Sequence, residues 1–129
     1  MSFRVVCPDD LEWTTRPHEE GGPARHVAEL SDVAEFAHTK ANLWRYEPGA
    51  RGLRHRHPSQ EETFVVLEGM LTMYLGEPPQ RVEVGRGGLI HVDAMTPLQT
   101  ANNGTDDLLL YVYGYPPEDE HAEILDPAP

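Results

Sequence analysis

The chain reads as an all-β barrel, on three observations. Apolar and polar residues alternate over short runs, most clearly where Leu110, Val112 and Gly114 interleave with Tyr111, Tyr113 and Tyr115. Turn-forming residues are dense, with 11 glycines and 12 prolines punctuating 129 residues. Only one stretch, 25–37, has a spacing compatible with a helix. About eight or nine short strands of this kind close into a barrel that encloses a small-molecule cavity between two sheets.

Residues 1–25 are mixed in character and broken by Pro and Gly, from Cys7-Pro-Asp-Asp to Gly22-Pro. They read as an N-terminal arm with one short strand near Phe3–Cys7 or Leu11–Thr15. The barrel proper is expected over 26–115. Its first stretch carries Val27, Leu30, Val33, Ala34 and Phe36, a spacing that suits a helical turn or a bent strand equally. Thr39–Tyr46 reads as a strand with Asn42, Trp44 and Tyr46 on one face and Leu43 and Arg45 on the other. Glu47-Pro48-Gly49 then forms a turn, and His55 and His57 open the next extended piece.

Thr63–Glu68 and Leu71–Leu75 flank Gly69 as the following strands, ended by Gly76-Glu-Pro-Pro. Glu62, Phe64 and Val66 share a face of the first of these. Arg81–Val84 and Leu89–Val92 come next, on either side of Gly85-Arg-Gly-Gly. That glycine cluster is a tight turn and not a phosphate cradle, because no helical pattern follows it. Thr96-Pro-Leu-Gln reads as a loop. Asp106–Tyr115 ends the barrel, with either the tyrosines or the Leu110 set facing inward. Residues 116–129 are an acidic, Pro-rich tail with no core of their own.

The length is one domain's worth, and 39% hydrophobic residues make it compositionally globular. A formal charge of −12 argues against nucleic acid and anionic membrane as partners, and it suits solubility. No run approaches a membrane span and the N-terminus lacks an apolar signal core. The single Cys7 excludes an internal disulfide and fits a reducing compartment, so a cytoplasmic location is expected. Its Pro-Asp-Asp setting offers no base that would make it a nucleophile. His18 and His26 have no neighbours at ligand spacing and read as surface residues.

One stretch carries chemistry. His55 and His57 are two residues apart, so on an extended segment both imidazoles point to one face. A carboxylate follows after Pro58-Ser-Gln, at Glu61 or Glu62. Two imidazoles and a carboxylate meeting at one point suit a first-row ion: iron, manganese, nickel or zinc. Arg45, Arg51, Arg54 and Arg56 surround the pair as the most basic patch of the chain. They either balance nearby carboxylates or place an arginine at the barrel mouth to orient an acidic substrate.

Gly49, His55, His57, Glu62 and Gly69 resemble the first signature motif of the cupin superfamily, every gap included, and Glu62 is the acid that keeps the spacing to Gly69. The resemblance implies a double-stranded β-helix, a jelly-roll-like barrel of two sheets. It also implies a metal held by His55, His57 and Glu62, together with a third His from a second motif. In that second motif, residues 87–104, the sequence departs from the family. Counting from Gly87 puts Leu98 where the third His belongs and Asn102 at the Asn position, whereas counting from Gly88 puts Gln99 and Asn103 there. The first register agrees better with the flanking Thr-Pro and Asn-x-Gly. Gln99 and His91 are the candidates for a fourth ligand.

Further expectations follow from the resemblance. Trp44, Tyr46, Arg54 and Phe64 would line a pocket for a small organic molecule, and the N-terminal arm would help form a homodimer. Two classes of function are open: a metal-dependent enzyme of the dioxygenase, isomerase or decarboxylase kind, or a module that binds or senses a small molecule without turnover. No catalytic residue is singled out.

Overall fold

The computed structural model describes residues 2–18, 21–117 and 122–129. In chain order the strands are β1 (Trp13–Arg16), β2 (Arg25–Glu29), β3 (Lys40–Tyr46), β4 (His55–Arg56), β5 (Glu61–Glu68) and β6 (Met70–Leu75). They continue with β7 (Gln80–Gly85), β8 (Leu89–Val92), β9 (Leu98–Ala101), β10 (Leu108–Tyr115) and β11 (Glu123–Ile124). A single helical turn, α1 (Leu30–Val33), and a 3-10 turn at Pro8–Asp10 are the helical elements among the described residues. No helix there is long and apolar enough to cross a membrane.

The strands form two antiparallel sheets. One runs β1-β2-β3-β10-β5-β8 and the other β11-β4-β9-β6-β7. They face each other as the expected double-stranded β-helix. Alternation decides which residues fill the space between them. On β10, Leu108, Leu110, Val112 and Gly114 are buried while Tyr113 and Tyr115 are exposed, so the tyrosines lie on the outer surface. The same rule turns Phe64 and Val66 of β5 inward, and Leu71 and Met73 of β6 join them. Each fully buried leucine of this cluster stabilises the fold by about 1.5–3 kcal/mol relative to an exposed one.

The chain changes sheets between β5 and β6 at Gly69, whose φ is +84°. A Cβ there would sit 2.6 Å from the Asp107 carbonyl oxygen, so only glycine fits both the conformation and the space.

Several elements differ from the sequence reading. The ambiguous 25–37 stretch is both things in succession, strand β2 and then the turn α1. The second half of the Thr96–Gln99 segment, expected as a loop, belongs to a strand: β9 starts at Leu98, and all four of its residues are buried, while Thr96 and Pro97 stay outside it. Thr and Gln in that strand hide the pattern, because their polar ends are satisfied inside the barrel. Of the two places expected for an arm strand, Leu11–Thr15 overlaps β1 (Trp13–Arg16), which pairs with β2, whereas Phe3–Cys7 is not a strand. The C-terminal residues lie back on the barrel: β11 pairs with β4, the Leu125 amide donates to the Arg54 carbonyl at 2.8 Å, and Ala128 is buried. The Glu118–His121 portion of the tail and Glu19-Glu20 of the arm lie outside the described residues.

Candidate metal centre

The site is built from both sheets. His55 stands on β4, paired with Leu98 of β9 on one side and Ile124 of β11 on the other. His57 follows two residues later, where its carbonyl accepts the Met95 amide at 2.7 Å. Glu62 is the second residue of β5 in the opposite sheet, in register with Gly114 and Val92. The chain leaves one sheet after His57 and enters the other at Glu61, so the imidazoles and the carboxylate approach each other across the gap.

Their ligand atoms all lie within 4.8 Å of one another. Nε2 of His57 is 2.8 Å from Oε1 of Glu62, and Nε2 of His55 is 4.0 Å from the same oxygen. The two rings are nearly perpendicular, at 88°, with centroids 4.9 Å apart. Nδ1 of His55 lies 2.8 Å from the Leu53 carbonyl oxygen. A carbonyl only accepts, so Nδ1 carries the proton and the lone pair is at Nε2, on the side of Glu62. Burial pushes the His55 pKa below its ordinary 6.5, against the opposing pull of the Leu53 carbonyl and the Glu62 charge, which keeps the ring neutral and able to donate that lone pair.

Glu62 Oε1 is buried and accepts no hydrogen bond among the described residues; its close approach to His57 is not aligned as one. Buried polar atoms are nearly always paired, so an orphaned carboxylate oxygen beside two imidazole nitrogens is suited to a cation. The donor set, two nitrogens and one charged oxygen, fits a divalent first-row ion.

A cavity of about 290 Å³ adjoins these ligands. Of the residues expected to line it, Trp44, Tyr46 and Phe64 do so. Tyr46 is held in place by a 2.6 Å hydrogen bond between its hydroxyl and that of Thr100.

Three expected site residues lie elsewhere. Arg54 is buried outside this cavity, donating to the carbonyls of Asp126 and Gly76 and to Glu77 at 2.7 Å. Alternation on the extended segment explains it: Arg54 points opposite to His55. Gln99 also faces away, with Nε2 donating to the Gly52 carbonyl at 3.0 Å and Oε1 accepting the Ala128 amide at 2.8 Å. Its neighbour Leu98 faces the cavity instead, at the place of the absent third His. His91 is opposite Thr63 on the outer face, where Nδ1 meets the Thr63 hydroxyl at 2.8 Å and Nε2 lies near the exposed Glu61 and Asp93. Neither Gln99 nor His91 therefore faces the His55, His57 and Glu62 cluster.

The sequence reading missed Arg25 and Lys40, which also line the cavity. Arg25 opens β2, directly opposite Tyr46. No motif marks it; the signal would have been a strand reading of 25–29, which places Arg25 on the face of Val27, the buried residue two along.

The cupin-domain family model matches residues 42–114, more than half of the chain. The chain belongs to this family. It is 34% identical over 79 residues to the uncharacterized protein MJ1618 of Methanocaldococcus jannaschii, an alignment that covers 60% of this chain and 62% of that one. Among solved structures, a sugar phosphate isomerase from a cupin superfamily of Silicibacter pomeroyi superimposes with a TM-score of 0.75 at 23% identity, covering 88% of this chain and 76% of its own. The polyketide cyclase RemF of Streptomyces resistomycificus gives 0.79 at 18%, over 98% and 88%. A predicted oxalate decarboxylase of Thermotoga maritima gives 0.76 at 16%, over 88% and 100%. At these identities the likeness is one of fold.

Proposed function

We propose that the protein is a metal-dependent cupin acting on a small organic molecule, with His55, His57 and Glu62 holding one divalent first-row ion, Fe, Mn, Ni or Zn. The observation that carries this reading is the convergence of two imidazoles on a buried carboxylate oxygen that has no hydrogen bond among the described residues. When bound, such an ion supplies Lewis-acid polarisation or an oxygen-activating centre with open positions. Trp44, Phe64 and Val112 form an apolar wall beside the ligands. Leu98 reinforces that wall while leaving the ion one protein ligand fewer. The structural neighbours carry isomerase, cyclase and decarboxylase names, so the fold leaves the reaction to the cavity's own residues.

A second reading has one specific observation in its favour. Leu98 in place of a histidine lowers the donor count, which suits a module that binds a small molecule with weak metal or none. Metal analysis of protein purified without chelator separates the two. About one first-row ion per chain, lost in His57→Ala, supports the enzyme reading. Protein that stays metal-free after supplementation supports the binding module. A cytoplasmic homodimer belongs to the same proposal, and sedimentation of the purified protein measures its assembly.

A further inference from the structure

Among the described residues, four of the nine arginines of this acidic chain make ion pairs. Arg4 pairs with Glu35, Arg54 with Glu77, Arg56 with Glu123 and Arg81 with Glu83. Arg25 is one of those without an ion pair, and it is the arginine that lines the cavity of the metal ligands. It is half-buried there, and among the described residues its guanidinium makes no ion pair and no hydrogen bond, although acids outnumber Lys and Arg by 22 to 10. The guanidinium is held instead by aromatic faces, its carbon 5.1 Å from the Trp44 ring centroid and 5.8 Å from that of Tyr46. Stacking fixes the plane of the group and leaves the N–H fork at its edge free to donate.

The neighbourhood is shaped around this arrangement. A Cβ on Gly52 would be 2.5 Å from the Thr100 hydroxyl oxygen, 3.3 Å from that of Tyr46 and 3.6 Å from Nη1 of Arg25. A side chain at residue 52 would therefore collide with the hydroxyl pair that props the stacking partner Tyr46, while only touching the guanidinium. Lys40 stands on the same cavity lining as a second cation. Charge points the same way. With a divalent ion on Glu62 the centre keeps one net positive charge, and Arg25 and Lys40 add two more inside a protein of −12.

We infer that Arg25 is the anion-recognition residue of the cavity and that the ligand is a small organic acid, its oxyanion held by the Arg25 fork while the rest of the molecule lies towards His55, His57 and Glu62. A planar fork matches a carboxylate by paired hydrogen bonds, and a phosphate or sulfonate oxygen pair presents the same chemistry. This rests on the proposed use of the cavity as the ligand site, and the oxyanion specificity is what it adds.

Trp44 serves as the built-in probe, since Trp13, the other tryptophan, stacks with Arg45. In a Trp13→Phe background, Trp44 fluorescence is titrated with malonate, succinate and benzoate, with their neutral amides, and with inorganic phosphate, while metal content is measured on the same samples. At least one carboxylate or phosphate should bind saturably and the matched amide should not; the preferred anion identifies the oxyanion. Arg25→Gln should weaken that binding roughly tenfold or more, and Arg25→Lys should recover part of it, with melting temperature and metal content unchanged. Equal affinity in wild type and Arg25→Gln, equal binding of acid and amide, or no binding of any anion would overturn the assignment. A protein that binds anions through Arg25 but holds no metal would instead sink the metal-centre reading alone.

Discussion

Leu98 is paired in register with His55 across the β4–β9 ladder, and both residues line the same cavity. The position that supplies a third imidazole in the cupin pattern is therefore occupied by a buried hydrocarbon facing the ligand site. Leu98→His puts a nitrogen donor where the side chain already points. Metal affinity should rise about tenfold or more, measured by competition with a chelator. The apo variant should lose about 1–3 kcal/mol of stability, because an imidazole without a partner replaces a packed leucine. Unchanged affinity would mean that position 98 does not border the ion.

His57→Ala tests the centre from the other side. His57 follows β4 at the cavity, while Leu71, Met73, Leu108 and Leu110 of the core cluster lie outside its lining. The variant should retain no metal yet keep its strand content, read by metal analysis and circular dichroism together. Collapse of the fold on losing His57 would instead assign the ion a structural role.

Much of this architecture is legible in the sequence because it is periodic. Alternation alone places Asn42, Trp44 and Tyr46 on one face of β3 and pairs Glu62 with Phe64 and Val66, and the two-residue spacing of His55 and His57 turns both rings the same way. What stays hidden depends on contacts between distant segments. β9 carries Gln99 and Thr100 in the interior, and their burial is supportable only because Gly52, Ala128 and Tyr46 satisfy their polar atoms. Arg25 enters the cavity because β2 joins β3 in register, a pairing that no local pattern announces.

Asn102 shows how the second motif keeps a structural part after losing its histidine. Its amide nitrogen donates to the carbonyls of Tyr46 and Asp106, both at 2.9 Å, and its oxygen accepts the Gly104 amide at 3.0 Å. The side chain is fully buried. Asn102→Ala removes all three bonds of a fully buried side chain, so stability should fall by about 2–4 kcal/mol in denaturant titrations. A loss below about 0.5 kcal/mol, the range of an ordinary surface substitution, would contradict this account.

Glu47 and His26 give the fold a pH-dependent clasp. His26 Nε2 is 2.7 Å from Glu47 Oε2, and its Nδ1 is 3.1 Å from the Thr15 hydroxyl, so the imidazole links β1, β2 and the turn after β3. The His26 hydrogen bond, aided by the Ala24 backbone amide, lowers the Glu47 pKa below its ordinary 4.5. A depressed carboxylate binds fewer protons folded than unfolded, so it stabilises above the ordinary value and loses that effect as pH falls through the lowered one. Glu47→Gln should therefore melt below wild type near neutral pH, with the gap closing as the pH drops under 4.5. Melting curves of both proteins across pH 3–7 measure it. A gap that stays constant over that range would show that Glu47 acts through packing and not through its charge.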